Sequence, residues 1–373
     1  MKLELIATST FGLEALVKRQ VQALGYEIKR VEDGKITYIA DERGIVRSNL
    51  WLRSSDRVLL KMGEFQATEF EELYQNIKGL PWEELIPLDG NFIVSGSSVK
   101  SVLHSVPACQ SITQKAIADR LRETYAVEKF PQTGALYGVR VNILKNSVTV
   151  SVDTSGAGLH KRGYRVNSVA APIKETMAAA LVELTFWNND RLLVDPTCGS
   201  GTIPIEAAMI ARNIAPGLGR SFSSEEWELI DKKIWKDERK NAYSEIKEVP
   251  LHIKAYDVDA GAVKAARANA AEAGVDDCIE FSCMDIANVE IDKKHGIIIA
   301  NPPYGARIGD EEAVSHIFRV MRKMHKDDPT LSIFVITADN SAEKRIWGGK
   351  ADRRRKLYNG NIQVCYYQFH GKK

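Results

Sequence analysis

A glycine-containing segment, DPTCGSGTIPIEAA (Asp195 to Ala208), has the residue types of a ligand-binding loop between a strand and a helix. Gly199 and Gly201 remove side chains where the backbone would pass close to a ligand, and the helix N-terminus offers unpaired N–H groups. The loop alone leaves three readings open: a nucleoside-bearing cofactor, a dinucleotide pyrophosphate, or a tight turn without a ligand. Its spacing matches neither G-x-G-x-x-G nor the phosphate loop with G-K-[ST].

Acidic residues follow the next two apolar runs. Asp257, in YDVDA, could accept hydrogen bonds from both ribose hydroxyls of an adenosyl cofactor. Asp259, two residues later, is predicted to cap the following helix instead of contacting the ligand. Asp285, in FSCMDI, could accept from the adenine amino group, and a helix cap is an equally good interpretation.

The segment NPPYG (Asn301 to Gly305) directly follows the apolar run GIIIA. Two consecutive prolines stiffen the backbone and supply no N–H donors. The Asn301 side-chain oxygen and the Pro302 carbonyl could both accept from an exocyclic NH2 group, which would free the nitrogen lone pair for attack. Tyr304 could stack on the base. The alternative is a Pro-Pro turn that only ends a strand; the glycine loop and acidic residues upstream favour the amine site.

A parallel sheet would position these residues. The apolar runs RLLVD, LHIKAYD, GIIIANPP and SIFVIT look like buried strands separated by helical patterns, notably at residues 260–273. That alternation is typical of βαβ units covered on both faces. A long apolar-striped helix is predicted at residues 173–187. Residues 221–249, rich in charge and tryptophan, are expected to form a helical insertion on the surface.

The first third of the chain has a different pattern, with short strands and helices that indicate compact α+β modules. Strands are predicted near residues 2–7, 27–39, 58–62, 91–94, 136–143 and 147–152, and helices near 12–24, 68–77 and 111–125. We place the boundary with the parallel-sheet domain between residues 152 and 169.

The composition limits the classes of partner. Lys and Arg number 51 against 49 Asp and Glu, so binding to nucleic acid would need a localised basic patch. Lys161, Arg162 and Arg165 are candidate phosphate contacts, with a solvated linker as the alternative. No window approaches the roughly 20 apolar residues of a membrane span. Five cysteines without CxxC pairs argue against a disulfide scaffold or a structural zinc, so we expect a cytoplasmic protein without a metal.

In their order along the chain, DPTCGSGT, YDVD, MD and NPPYG resemble the class I methyltransferases that use S-adenosylmethionine. More narrowly, they resemble amino-methyltransferases with an (N/D)PP(Y/F) motif, which modify adenine N6, cytosine N4 or guanine N2. The stretches LHKRGYR, AAPIKETMAAAL and RRKLYNGNIQVCYYQF resemble the bacterial family with an N-terminal THUMP domain, whose better-known members make N2-methylguanosine in 23S rRNA. The resemblance covers essentially the whole chain.

The resemblance implies an α/β fold in which a C-terminal Rossmann-like class I methyltransferase domain (residues 169–373) follows α+β ferredoxin-like (1–55) and THUMP (56–154) modules and a linker (155–168). It implies RNA as the partner. The residues that would bind S-adenosylmethionine are Asp195, Thr197, Cys198, Gly199, Ser200, Gly201, Thr202, Asp257, Val258, Asp285 and Asn301. The residues that would position the guanine amino group are Asn301, Pro302, Pro303 and Tyr304. Transfer would be a direct in-line displacement without a covalent enzyme intermediate.

Several alternatives remain at the level of the sequence. The same parts could build a tRNA guanine-N2 methyltransferase, a DNA adenine methyltransferase, or a non-catalytic RNA-binding assembly factor. A nicotinamide dehydrogenase is disfavoured because the G-x-G-x-x-G spacing is missing and NPPY would have no purpose. The modified nucleotide, the choice between naked RNA and a ribosomal precursor, and the oligomeric state stay open.

Overall fold

The computed structural model describes residues 2–167, 172–303, 310–360 and 362–372. The chain divides into two compact units. Unit 1 comprises Met1–Ser9, Val17–Leu159 and Ser221–Asn241, and unit 2 comprises Thr10–Leu16, His160–Arg220 and Ala242–Lys373.

Unit 1 is built on one continuous sheet that, in the described chain, has seven strands in the order β2-β3-β1-β4-β7-β6-β5. Neighbouring strands are antiparallel except β5 and β6, which are parallel. The long strand β4 pairs with β1 on one side and β7 on the other, so it joins the two α+β modules. The strands are β1 (Leu3–Ser9), β2 (Glu27–Glu32), β3 (Lys35–Ala40), β4 (Ser55–Gln66), β5 (Asn91–Val99), β6 (Leu136–Leu144) and β7 (Ser147–Asp153).

Helices pack on the apolar side of this sheet. Leu73 and Ile77 of α3 and Ile117 and Leu121 of α4 enter the same hydrophobic core as the inward residues of the strands. Helix α2, which the sequence analysis did not predict, starts at the N-cap Asp41, whose carboxylate accepts from the Gly44 N–H. The first four helices are α1 (Glu14–Ala23), α2 (Glu42–Trp51), α3 (Phe70–Lys78) and α4 (Val106–Tyr125).

The tryptophan-rich segment after residue 220 contributes to the core of unit 1. Trp227 is buried and stacks on Tyr137 with ring centroids 5.0 Å apart, and Trp235 stacks on Phe222 at 5.3 Å. Helix α7 (Lys232–Ser244) lies in this stretch. We expected a surface insertion here; the large apolar area of these aromatic side chains instead packs inside the unit.

Unit 2 contains the sheet that positions the candidate residues. Within the described chain its seven strands have the order β10-β9-β8-β11-β12-β14-β13, with β10 through β12 parallel and β14 antiparallel to both of its neighbours. The order reverses between β8 and β11, where the carboxyl ends of parallel strands open a crevice. The strands are β8 (Leu193–Asp195), β9 (Ile253–Asp257), β10 (Ile279–Cys283), β11 (Ile297–Ala300), β12 (Ser332–Thr337), β13 (Arg353–Asn359) and β14 (Ile362–Phe369).

The remaining helices pack around this sheet, which confirms the predicted Rossmann-like fold. They are α5 (Glu175–Glu183), α6 (Thr202–Ala211), α8 (Ala260–Glu272), α9 (Asp310–Asp327) and α10 (Ala342–Ile346). Helix α5 is shorter than the predicted 173–187, and Phe186 just beyond it has a φ of 59°, which a helix cannot contain. None of the described helices combines the length and apolar character that crossing a bilayer requires.

Candidate active site

Hydrogen bonds centred on Asp257 tie together the carboxyl ends of β8, β9 and β10. The Cys198 N–H donates to the Tyr256 carbonyl at 2.9 Å, and the Gly199 N–H donates to Asp257 Oδ2 at 2.8 Å. On the other side, the Met284 N–H donates to the Asp257 backbone carbonyl at 2.9 Å. The glycine loop is therefore held against the second strand by the same carboxylate that we predicted to bind ribose.

The glycines of the loop are required by its geometry. Gly199 and Gly201 have φ values of 52° and 82°, which favour glycine. A Cβ on Gly201 would lie 3.0 Å from the Cβ of Ala266 in α8. Because no side chain separates them, the loop packs directly on α8 at the start of α6.

A buried asparagine that the sequence analysis missed holds this loop from behind. Asn269 of α8 is 1% exposed, and its amide nitrogen donates to the Ser200 and Asn167 carbonyls at 3.0 and 2.9 Å. Its Oδ1 accepts from the N–H groups of Val166 and Asn167, each at 3.0 Å. In the sequence, Asn269 is a single asparagine in an alanine-rich helix. That local context does not indicate its hydrogen-bond partners, which lie some 70 and 100 residues away along the chain.

Asp195 is a buried carboxyl at the end of β8. It accepts the Thr197 N–H at 3.1 Å. The pKa of Asp195 is raised to about 8, chiefly by burial and in smaller part by the nearby Asp257 charge, against the lowering effect of the Thr197 hydrogen bond.

Asp259 and Asp285 each cap the start of a helical segment. Asp259 Oδ1 accepts the Gly261 N–H at 2.7 Å, which confirms the predicted cap of α8. Asp285 Oδ1 accepts the Ala287 N–H at 2.7 Å and lies 2.8 Å from Nε2 of His316 in α9. The hydrogen bond with His316 holds the pKa of Asp285 below its usual range.

One cavity of about 1030 Å³ lies at the reversal point of the sheet, enough space for an adenosyl cofactor and a base, and most of the predicted site residues line it, although Gly201 does not. The cavity is also lined by residues that no sequence pattern marked. They are Glu312, His316 and Arg319 of α9, and Asn359 and Ile362 at the β13–β14 turn. Tyr304 lies outside the described residues. The predicted residues in the lining are Asp195, Thr197, Cys198, Gly199, Ser200, Thr202, Asp257, Val258, Asp285, Asn301, Pro302 and Pro303.

Two polar atoms of this lining are buried and have no hydrogen-bond partner within the described part of the chain: Asn301 Oδ1 and Thr197 Oγ1. An unsatisfied buried polar atom costs about 1–3 kcal/mol, so such atoms usually meet a ligand or water. The cavity brings together three kinds of group. They are carboxylates that can accept from ribose hydroxyls, a closely packed backbone loop, and an amide oxygen that can accept from an amine. The residues present fit an adenosyl cofactor beside an amine-bearing base.

One of the three candidate phosphate contacts, Arg162, is internal. Arg162 is 3% exposed, and its guanidinium lies 3.3 Å from the buried Glu206 carboxylate, which also accepts the Tyr164 hydroxyl at 3.0 Å. This internal ion pair corrects our prediction that Arg162 contacts phosphates. Arg165 pairs with Glu175 at 2.8 Å and donates to Thr202 Oγ1 at 3.0 Å, but its side chain is partly exposed and its phosphate contact stays a prediction. Lys161 is exposed and stays a prediction.

Comparison with family models divides the chain into three matched regions. Residues 4–59 match the RlmL ferredoxin-like domain, residues 67–153 match the THUMP domain, and residues 162–368 match the RMKL-like methyltransferase domain. The chain is 45% identical to the "Putative RNA methyltransferase YpsC" of Bacillus subtilis, with 100% of this chain and 97% of that protein covered.

Solved structures of similar proteins superpose over the whole chain. A crystal structure of a predicted N6-adenine-specific DNA methylase from Listeria monocytogenes is 48% identical, with a TM-score of 0.95 and coverage of 100% of this chain and 97% of that one. SMU.472, "a putative methyltransferase complexed with SAH", is 40% identical, with a TM-score of 0.94 and coverage of 100% and 99%. The second of these was crystallised with the product that S-adenosylmethionine leaves after methyl transfer.

Replacement of Arg162 tests its internal assignment. We expect Arg162→Ala to destabilise unit 2 by about 3–5 kcal/mol, because the Glu206 carboxylate stays buried without its counter-charge. Urea unfolding measures the change. Lys161→Ala, an exposed neighbour, is the control and should shift stability by less than about 0.5 kcal/mol. Equal stability of the two variants would contradict the internal role.

Proposed function

The chain belongs to the family with an RMKL-like methyltransferase domain, and on this premise we propose that it methylates the N2 amino group of guanine in 23S rRNA. It is an S-adenosylmethionine-dependent RNA methyltransferase with ferredoxin-like and THUMP modules. The proposal concerns the base, the RNA and the roles of the individual residues.

The observation that carries the proposal is Asn301 Oδ1, which lies in the cavity at the end of β11 and has no hydrogen-bond partner among the described residues. An amide oxygen is an acceptor without basicity, so it suits an N–H donor such as an exocyclic amine. The Pro302 carbonyl is the second acceptor of the proposal, and Pro302 is buried beside it. Two acceptors on one amine would hold its lone pair along a fixed direction.

The cofactor part of the proposal assigns Asp257 to the ribose hydroxyls and Asp285 to the adenine amino group. Asp257 has one oxygen on the Gly199 N–H and the other on the Asp259 N–H, and each carboxylate oxygen can accept a further hydrogen bond. Thr197, whose hydroxyl has no hydrogen-bond partner in the part of the chain that the structure describes, and the loop through Thr202 would contact the methionine portion. S-adenosylmethionine supplies an electrophilic methyl group when it is bound.

The protein would accelerate transfer mainly by positioning the amine. A rigid strand end followed by two prolines limits the motion of Asn301, and alignment of reactants alone is worth several orders of magnitude in rate. The amide of Asn301 does not take the amine proton, which we assign to solvent after transfer. Stacking of Tyr304 on the base remains part of the proposal.

The RNA class is proposed from the family and its modules. The match to an RlmL ferredoxin-like domain accompanies the THUMP domain, and both belong to unit 1 in this chain. We place the protein in the cytoplasm, where ribosomal RNA is available as substrate. A tRNA guanine-N2 methyltransferase built from the same parts is the alternative that the first experiment separates.

Labelled methyl transfer tests the base and the RNA together. We expect tritium from S-adenosylmethionine to enter total RNA from cells lacking the protein and to appear as N2-methylguanosine in the large rRNA. Label confined to tRNA would retain the chemistry and reject the rRNA target. Label in neither RNA, with ribosomal precursors included, would favour the RNA-binding factor.

Removal of the Asn301 amide tests the amine site. Asn301→Ala should reduce kcat at least a hundredfold, because the amine loses its acceptor, while the Kd for S-adenosylmethionine stays within about threefold. Single-turnover transfer and calorimetry give the two values. A large loss of cofactor affinity with normal transfer at saturation would show that Asn301 binds the cofactor and not the base.

Removal of the Asp257 carboxylate should have the opposite effect. Asp257→Ala should weaken S-adenosylmethionine at least tenfold in calorimetry, because both the ribose acceptor and the anchor of the Gly199 N–H are lost. Asp259→Ala is the matched control: it removes the cap of α8 at a cost of about 1 kcal/mol in stability and should leave cofactor affinity within threefold. Unchanged affinity in Asp257→Ala would reject the ribose assignment.

A further inference from the structure

A partly exposed aromatic pair lies on unit 2, and one of its members directly precedes a residue that lines the cavity. The rings of Phe11 and Tyr358 pack edge to face, with centroids 6.3 Å apart and planes at 71°. Phe11 is 47% exposed although it is a large apolar side chain. Packing in the core therefore does not explain why an aromatic residue is held at this position.

The chain fixes Phe11 in place. Leu13 and Leu16 of the same short segment are buried in the core of unit 2. The Gly12 carbonyl accepts from Arg355 of β13 at 2.8 Å. Gly12 has a φ of 90°, and a Cβ there would lie 2.7 Å from the Lys356 carbonyl. The backbone directly after Phe11 is thus held against the edge strand β13, and the ring of Phe11 remains partly exposed.

The outer face of β13 carries cationic side chains next to the aromatic pair. Leu357 is buried, so the alternate residues Arg354, Lys356 and Tyr358 lie on the opposite, outer face. Arg354 and Lys356 are exposed. Asn359, the residue after Tyr358, lines the cavity, so β13 ends at the rim of the cavity.

We propose that Phe11 and Tyr358 form a stacking platform for an unpaired nucleotide of the RNA next to the target base, with Arg354 and Lys356 contacting its phosphates. Aromatic rings stack on any base, and cations along the same strand neutralise the backbone. Arg354 stays exposed although its guanidinium lies 3.7 Å from the Glu343 carboxylate, and a purely apolar protein partner would use the charge of neither Arg354 nor Lys356. The inference depends on RNA as the substrate and not on which RNA or base is modified.

Binding of a fluorescein-labelled oligoadenylate of about twelve nucleotides to the full chain, followed by anisotropy, tests the platform. Phe11→Leu and Tyr358→Leu keep the apolar bulk and remove the aromatic face, so each should raise the Kd about tenfold. Phe11→Trp should bind within twofold of the wild type. Tyr243→Leu is the matched control, since Tyr243, at the end of α7, is 60% exposed, and it should also bind within twofold.

Two further readouts separate stacking from a structural role. The Kd for S-adenosylmethionine should be unchanged in the leucine variants, while the KM for RNA in methyl transfer rises about tenfold. Lys356→Gln should reduce the salt slope of oligoadenylate binding by about one. An unchanged slope, or leucine variants that bind like the wild type, would overturn the platform. If a leucine variant misfolds and loses affinity for S-adenosylmethionine, the salt slope of oligoadenylate binding by Lys356→Gln decides whether the platform binds RNA.

The anisotropy measurement requires no methyl transfer, so it remains decisive if the wild type labels neither rRNA nor tRNA. That result would reject the proposed function alone. Normal transfer by Phe11→Leu and Tyr358→Leu, with an unchanged KM for RNA, would reject the platform alone.

Discussion

The hydrogen bond from the Gly199 N–H to the Asp257 carboxylate is the contact on which the geometry of the site depends. It joins the loop after the first strand of the parallel sheet to the end of the second, and the Met284 N–H ties the third strand to the same residue. A carboxylate that accepts two backbone N–H groups has a fixed orientation. The site is thus held in shape by the protein before any ligand contributes.

Side chains behind the glycine loop reinforce that shape. Asn269 binds the Ser200 carbonyl from α8, and Arg165 connects Glu175 at the start of α5 to Thr202 at the start of α6. These buried polar groups are satisfied by one another, which is the condition under which burying them is tolerated. Asn301 Oδ1 and Thr197 Oγ1 lack such partners in the described chain, and both lie in the cavity. The contrast separates the scaffold of the site from its binding groups.

Two short segments of the chain pack in one unit, while the residues before and after them in sequence belong to the other unit. Thr10–Leu16 belongs to unit 2, although the residues on both sides belong to unit 1, and Ser221–Asn241 belongs to unit 1 within the methyltransferase part of the sequence. In each case apolar side chains account for the exchange: Leu13 and Leu16 in the first segment, Trp227 and Trp235 in the second. The first exchange also holds Phe11 beside β13.

The sequence by itself determined that unit 2 is built from alternating buried strands and helices, and which residues lie at the ends of the parallel strands. Apolar runs of strand length, each followed by a glycine loop, an acidic residue or NPPYG, are local features, and strand ends in a parallel sheet meet at one edge. Helix α2, with five polar or charged residues among its ten, lacked a clear apolar period and was missed. The tertiary structure alone decided which charges are internal. Arg162 and Lys161 are adjacent in sequence, yet one is buried against Glu206 and the other is exposed, because burial depends on partners 44 residues away. Asn269, His316 and Phe11 were likewise found only in three dimensions, since their contacts join segments that no local pattern connects.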